Sequence, residues 1–356
     1  MSEFWNSRVK RLSPYVPGEQ PQDRSYIKLN TNENPYPPSP LVFAALVETV
    51  TSALRLYPDP NAQLLKNALA EHFALQSNQV FVGNGSDEVL AFCFQAFFGE
   101  QGPLLFPDIS YSFYRVYCGL YDIPYQEIPL TDTFDIDVSS YPQKNGGIIL
   151  PNPNAPTGKA LPLNDIIKLL ENHPKSVIVI DEAYVDFGAE SAVKLIDSYP
   201  NLLVVQTFSK SRSLAGLRSG FALGNPLLIE ALERIKNSFN SYPLDRFALT
   251  GSVAAIKDHT YFQAICDQII ASRQKTQAAL ERLGFEVLDS AANFLFARHP
   301  VHAAQTLYQQ LKNQGILVRY FKQPRIDNFL RITIGTDSEM DSLINCLNNL
   351  LNESQD

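Results

Sequence analysis

Lys210 sits where a side-chain amine could act as a nucleophile. It follows the apolar run Leu202–Thr207 and the pair Phe208-Ser209, and Arg218 comes eight residues later, after Leu214-Ala215-Gly216-Leu217. Taken alone, a lysine at the end of a strand is usually a solvated surface residue. A serine and an arginine flanking it suit a phosphate held beside a reactive amine. Asp181 opens Asp181-Glu182-Ala183-Tyr184 directly after the apolar run Val177–Ile180. A carboxylate at that depth needs a cation or hydrogen-bond donors, because burying it alone costs several kcal/mol. The plainer roles are a helix cap or a structural ion pair. Gly83-Asn84-Gly85-Ser86-Asp87-Glu88 follows Val80–Val82. Two glycines before a helix start expose backbone N–H groups and the positive end of a helix dipole, which together favour an anion. An ordinary N-cap explains that segment alone equally well. After Ile148–Leu150 comes the stiff polar loop Pro151-Asn152-Pro153-Asn154-Ala155-Pro156-Thr157-Gly158, which presents amide side chains from a fixed backbone or forms a plain turn.

Together these segments supply an amine nucleophile, an anion site, a buried carboxylate and a phenol, the set that pyridoxal phosphate requires. Each stands just after an apolar run that reads as a buried strand. In open parallel sheets, ligands lie beyond the carboxyl ends of the strands. The runs Val80–Val82, Leu104–Phe106, Ile148–Leu150, Val177–Ile180, Leu202–Thr207 and Gly220–Leu223 are expected to be those strands. Helical stretches such as Asp87–Phe98 and Leu163–Glu171 separate most of them. Continuously apolar strands alternating with helices predict an α/β fold with a mainly parallel sheet covered by helices on both faces.

Residues 1–40, rich in proline, asparagine and glutamine, are expected to form an extended N-terminal arm, and residues 41–260 the large domain. A helical pattern begins near Leu41, is broken at Tyr57-Pro58-Asp59-Pro60, and resumes through Leu64, Leu65, Ala68, Leu69 and Phe73. Beyond about residue 260 the texture changes: long helices, about Tyr261–Leu283 and Val301–Gln314, flank the short strands Phe294–Ala297 and Leu330–Ile334. Residues 261–356 are therefore expected to form a smaller α+β domain.

Composition narrows the function classes. Of 356 residues, 45% are apolar and 19% charged, as in globular proteins. The net charge of −8, from 29 basic and 37 acidic side chains, makes the chain a poor general nucleic-acid binder. Cys93, Cys118, Cys266 and Cys346 are far apart and form no C-x-x-C pair, so thiols in a reducing compartment are expected. The histidines offer no metal spacing beyond the weak His299/His302 pair, and no metal site is expected. The opening residues lack a long apolar run, and no stretch of about 18 apolar residues exists, so neither a signal peptide nor a membrane span is expected. The expected location is the cytoplasm.

With these segments in order, the sequence resembles the fold-type I aminotransferases, and within them the histidinol-phosphate aminotransferase family, over nearly its whole length. The motifs that carry the resemblance are Lys28-Leu29-Asn30-Thr31-Asn32-Glu33-Asn34-Pro35-Tyr36, Tyr57-Pro58-Asp59, Gly83–Glu88, Asn152–Gly158, Asp181–Tyr184, Ser209-Lys210 with Leu214–Arg218, and Leu330-Arg331-Ile332. The resemblance implies that Lys210 carries pyridoxal 5′-phosphate as a Schiff base and later moves the proton at the substrate's Cα. Asp181 would pair with the pyridine nitrogen, Tyr184 would donate to the phenolic oxygen, and Tyr111 would stack on the ring. Gly85, Ser86 and Asp87, with Ser209 and Arg218, would hold the phosphate. Tyr57 would reach the cofactor phosphate of a neighbouring subunit, making the active unit a homodimer. Many relatives have asparagine immediately before the Pro-Thr-Gly triplet, bonded to the phenolic oxygen. Here that position is Ala155, and either Asn154 takes the role or Tyr184 acts with less help; Asn154 is the preferred expectation.

Arg331 resembles the family's substrate-binding arginine. A guanidinium forks onto carboxylate or phosphate alike, so one site could accept glutamate and histidinol phosphate in turn. Tyr15 and Asn30 resemble added substrate contacts. The implied reaction interconverts histidinol phosphate and 2-oxoglutarate with imidazole acetol phosphate and glutamate. Two rivals on the same scaffold are an aromatic amino-acid aminotransferase and a threonine-phosphate decarboxylase. A non-catalytic cofactor-binding regulator is the rival of a different class; it usually carries an appended DNA-binding domain, whereas only a short arm precedes the fold here.

Overall fold

The apolar runs do become strands, and their pairing explains why the polar segments that follow them meet. The computed structural model describes residues 3–353. Strand β1 is Ile27–Lys28, followed by β2 Val80–Gly83, β3 Leu104–Pro107, β4 Tyr125–Ile128, β5 Gly147–Pro151, β6 Ile178–Asp181, β7 Leu202–Thr207 and β8 Gly220–Gly224. Strands β2 to β8 form one seven-stranded sheet in the order β2-β8-β7-β6-β5-β3-β4. Strands β3 to β7 run parallel, and β8 is antiparallel to both β7 and β2. The reversal at β8 brings its amino end, Gly220, opposite both Thr207 and Gly83. The carboxyl ends of β2, β3, β5, β6 and β7 and the start of β8 therefore share one edge.

Side chains along each central strand alternate between two cores. Ile148, Leu150, Ile178, Ile180, Leu202 and Val204 pack on one face with Leu65 and Leu69 of helix Gln63–Phe73 and with Ile166, Leu169 and Leu170 of helix Leu163–Asn172. Ile149, Val179, Leu203 and Val205 pack on the other face with helices Gly85–Phe97 and Pro226–Phe239. Burial on both faces is why these strands are apolar throughout rather than alternating. The edge strand β4 was not anticipated. Its sequence, Tyr-Gln-Glu-Ile, is exposed over its first half and carries no apolar run.

The remaining strands are β9 Glu286–Val287, β10 Phe294–Arg298, β11 Ile316–Leu317, β12 Arg319–Tyr320 and β13 Leu330–Thr333. A second, antiparallel sheet has the order β12-β13-β10-β9. Its core includes Leu295, Leu330 and Ile332, covered by helices His259–Arg282, Ala304–Asn313 and Asp337–Glu353. The expected helix start at Val301 falls instead at Ala304, whose N–H donates to the Asn328 side chain. The N-terminal segment is mostly extended but includes the short helix Ser7–Arg11, capped by Asn6. Further on, β1 pairs in parallel with β11, Ile27 opposite Ile316, as a separate two-stranded sheet, and the Thr333 N–H donates to the Leu29 carbonyl at 3.0 Å, which ties the N-terminal segment to the second sheet. No helix of the described residues is long and apolar enough to cross a membrane.

Candidate active site

A cleft of about 550 Å³ opens at the shared strand edge and is lined by residues of the N-terminal segment, the large sheet and the small sheet. That volume lies within the usual range for a small-molecule site. Of the residues singled out in the sequence, Tyr15, Asn30, Ser86, Asp87, Tyr111, Asp181, Tyr184, Ser209, Lys210, Arg218 and Arg331 all line it.

Asp181 ends β6 and is almost fully buried. Its carboxylate accepts from the Tyr114 hydroxyl at 2.8 Å and the Ala183 N–H at 3.3 Å. Neither donor is a cation. Burial pushes the carboxyl up to about 6, the two donors pull against that rise, and Asp87 adds to it. A cationic N–H brought into the cleft is the partner this group lacks.

Lys210 lies three residues beyond β7, its Nζ donating to the Thr31 carbonyl at 3.2 Å. Asn34 fixes the same residue from the backbone side, its amide donating to the Lys210 carbonyl at 2.9 Å. The Lys210 amine forms no ion pair among the described residues. It stands 5.8 Å from the centre of the Tyr184 ring.

The anion-site segment begins the helix Gly85–Phe97. Gly85 has φ of +78°, and a Cβ there would meet Arg218 Nη2 at 2.7 Å. A Cβ on Gly220 would run into the backbone of Gly85 and Ser86. The two glycines thus let the helix start and the arginine turn lie against each other. Arg218 pairs with Asp87 at 3.4 Å, and Tyr111 donates to the other oxygen of Asp87 at 2.9 Å. Bare N–H groups, serine hydroxyls at 86 and 209 and a guanidinium make a cradle suited to a phosphate.

In another part of the cleft, Arg331 on β13 donates to the Asn30 carbonyl at 2.9 Å, while its buried Nε has no partner. Burial pulls its pKa down, with Arg319 acting in the same direction. Arg319 stands directly opposite Arg331 in the β12–β13 register and also lines the cleft. Neither arginine has a carboxylate partner among the described residues; Arg319 donates only to the carbonyls of Pro17 and Val16. Like charges facing each other across strands destabilise a sheet, and an anion bound between them would offset that cost. Sequence reasoning missed Arg319. Its place opposite Arg331 depends on a strand register that no motif marks.

Comparison with known proteins follows the same lines. The model of the family "Aminotransferase class I and II" matches residues 24–347. The histidinol-phosphate aminotransferase 1 of Pseudomonas aeruginosa is 60% identical over 347 residues, covering 98% of this chain and 99% of that protein. Its counterpart in Hydrogenovibrio crunogenus is 58% identical over 351 residues, 99% of each. The chain belongs to the histidinol-phosphate aminotransferase family. Among solved structures, the Sinorhizobium meliloti histidinol-phosphate aminotransferase in complex with pyridoxal-5′-phosphate superposes with a TM-score of 0.90 at 23% identity, covering 99% of both chains. An L-threonine-O-3-phosphate decarboxylase from Porphyromonas gingivalis shares the fold at a TM-score of 0.79 and 25% identity, over 91% of this chain and 99% of that one.

Besides Gly85, which packs against Arg218, two expected site residues of this aminotransferase do not line the cleft. Asn154 is the first, and the expectation that it takes the phenol-side role is corrected. Its amide nitrogen donates to the Ile109 carbonyl at 3.0 Å and to Thr157 Oγ1 at 3.1 Å, bracing the proline loop from behind. Ala155, not Asn154, faces the cleft. The second is Tyr57, which is 79% exposed and stacks on Tyr242 at 4.7 Å. Tyr15 lies against Phe113 at 4.9 Å, closing the cleft from the N-terminal segment.

Proposed function

We propose that this aminotransferase exchanges an amino group between histidinol phosphate and 2-oxoglutarate, with pyridoxal 5′-phosphate carried on Lys210. The observation that carries the substrate reading is the facing pair Arg319 and Arg331, two guanidiniums in one cleft without a carboxylate partner among the described residues. A phosphate monoester, with up to two charges, balances such a pair better than a single carboxylate. Its three terminal oxygens also accept from two forked donors. The same arginines would hold a carboxylate of glutamate in the second half-reaction.

The residues present fit the cofactor. Asp181 is a buried carboxylate that lacks a cation, Ser86, Ser209 and Arg218 frame a phosphate cradle, and Tyr111 offers a ring on the cleft wall. Pyridoxal phosphate, when bound, supplies an electron sink for the substrate's Cα carbanion. Asp181 would keep the pyridine nitrogen protonated, Lys210 Nζ would take the Cα proton, and Tyr184 would donate to the phenolic oxygen. Tyr15 and Asn30, both on the N-terminal segment, would exclude water and contact the substrate.

Tyr57 is exposed, and so are the apolar side chains of Phe43, Val47, Leu54 and Leu56 on the segments that lead to it. A second copy of the chain that covered these side chains would bring Tyr57 toward a neighbouring cofactor phosphate, making the active unit a homodimer. The chain would divide near residue 260 into large and small domains. A reducing, cytoplasmic setting suits the buried thiols Cys93, Cys118 and Cys266.

The test is kcat/KM for histidinol phosphate beside phenylalanine and tyrosine, each with 2-oxoglutarate. Histidinol phosphate is expected to win. Preference for an aromatic amino acid would overturn the substrate and keep the reaction. Carbon dioxide released from threonine phosphate would overturn both.

A further inference from the structure

The proline loop turns Ala155 rather than an amide to the cleft, and the structure supplies an amide from elsewhere. Asn32 lies on the N-terminal segment, almost fully buried, and lines the cleft beside Tyr184. Its Nδ2 donates to the Tyr184 hydroxyl oxygen at 3.0 Å. Three further bonds fix the residue. Its backbone N–H donates to Thr333 Oγ1 at 3.0 Å, that hydroxyl donates to Asn32 Oδ1 at 2.9 Å, and Asn293 Nδ2 donates to the Asn32 carbonyl at 3.1 Å.

These bonds decide which end of the amide faces Tyr184. Thr333 Oγ1 already accepts the Asn32 backbone N–H, so its single hydrogen goes to Oδ1. The amide nitrogen is left for Tyr184. A tyrosine oxygen that accepts from an amide keeps its own hydrogen for another acceptor. Tyr184 packs edge-on against Phe294 at 5.1 Å, and that ring packs with Ala155, so the phenol has little freedom to turn away. The charged groups around it are Lys210, Arg331 and, on the preceding strand end, Asp181.

We infer that Asn32 is a positioning residue that holds Tyr184 as a hydrogen-bond donor to the cofactor's phenolic oxygen, standing in for the amide missing at Ala155. This rests on the cofactor reading above. It places the compensation nearly 125 residues from the gap, on a segment anchored to the small sheet.

The experiment follows the visible absorbance of the cofactor on Lys210 against pH, a reading independent of turnover. Donors to the phenolic oxygen stabilise its anion and so lower the pH at which the Lys210–cofactor linkage loses its proton. Asn32→Gly removes the amide while tolerating the left-handed backbone there, φ +55°. It is expected to raise the midpoint by about one pH unit, a tenfold change in proton affinity. Asn32→Asp replaces the donor with an acceptor that competes for the Tyr184 hydrogen, and is expected to raise it further. In a Tyr184→Phe background, Asn32→Gly is expected to leave the midpoint unmoved, because the path runs through the hydroxyl. A midpoint unchanged in both Asn32 variants overturns the inference. So does an equal shift with and without the Tyr184 hydroxyl, which is what a merely structural residue would give. Wild-type protein that takes up no coloured cofactor overturns the cofactor reading itself, and the role of Asn32 with it.

Discussion

Asp181→Asn is expected to make the cofactor-free protein more stable while destroying its activity. In the unfolded chain this carboxyl titrates near 3.8, whereas in the folded chain burial raises it to about 6. The folded state thus holds on to a proton that the unfolded state has released. Its stability is undiminished below about 3.8, falls as pH rises through the window up to about 6, and stays low above it. Two pH units at about 1.4 kcal/mol each give about 3 kcal/mol of destabilisation at neutral pH. Asparagine has the same shape, keeps an oxygen for the Tyr114 hydroxyl, and carries no charge to desolvate. For 356 residues the unfolding entropy near the midpoint is roughly 0.75 kcal/mol/K, so the gain corresponds to about 4 °C in Tm. The assay is unfolding of cofactor-free wild type and variant at several pH values from 4 to 8. Glu182, which burial pushes up to about 7, titrates in both proteins and drops out of the difference. The two curves should meet near pH 4 and separate by pH 6. A variant no more stable than wild type at neutral pH, or a gap already full at pH 4, would refute the argument. With cofactor, turnover of the variant should fall by orders of magnitude, because the variant lacks the charge that would keep the pyridine nitrogen protonated.

Lys210→Ala should lose almost all turnover yet still bind the cofactor non-covalently, and borohydride treatment of wild type should fix label to the Lys210 peptide alone. Arg331→Ala should lower kcat/KM at least tenfold in both half-reactions, since charge-assisted hydrogen bonds are each worth roughly 1.5–3 kcal/mol; steady-state kinetics with histidinol phosphate and with glutamate check this. Tyr57→Phe should weaken cofactor retention in dialysis, and removing the cofactor should weaken the dimer by sedimentation, because a ligand shared between subunits links the two equilibria. A fully active monomer would contradict the role of Tyr57.

The sheet was legible because its central strands are buried on both faces. Unbroken apolar runs ending in Asp181 or just before Ser209-Lys210 mark both the strand and the edge where ligands gather. The edge strand β4 gave no such sign, being half exposed. Within the site, residues fixed by the large sheet were readable, whereas those that depend on register or loop orientation were not. Arg319 acquires its meaning from standing opposite Arg331. Asn154 and Ala155 are neighbours in a proline-rich loop, and which of them faces the cleft is settled by the Ile109 carbonyl and Thr157, not by periodicity. Asn32 was visible within a motif, but its bond to Tyr184 spans 152 residues and leaves no local trace.

The pairing of β1 with β11, together with the bonds from Asn30 and Asn32 to Arg331 and Thr333, bears on how the protein is made. A ribosome delivers the N-terminal segment first and its partners on the small sheet near the end. The large sheet can form as its strands emerge, since its neighbours are mostly close in sequence. The wall of the cleft carrying Asn30, Thr31 and Asn32 has to wait until about 300 residues later, when β13 is out of the tunnel. A chain cut short between Arg218 and β13 would therefore own every residue from Tyr15 to Arg218 and still lack a closed cleft. Emergence of β13, rather than formation of the large sheet, is the step that supplies the last partners of that wall.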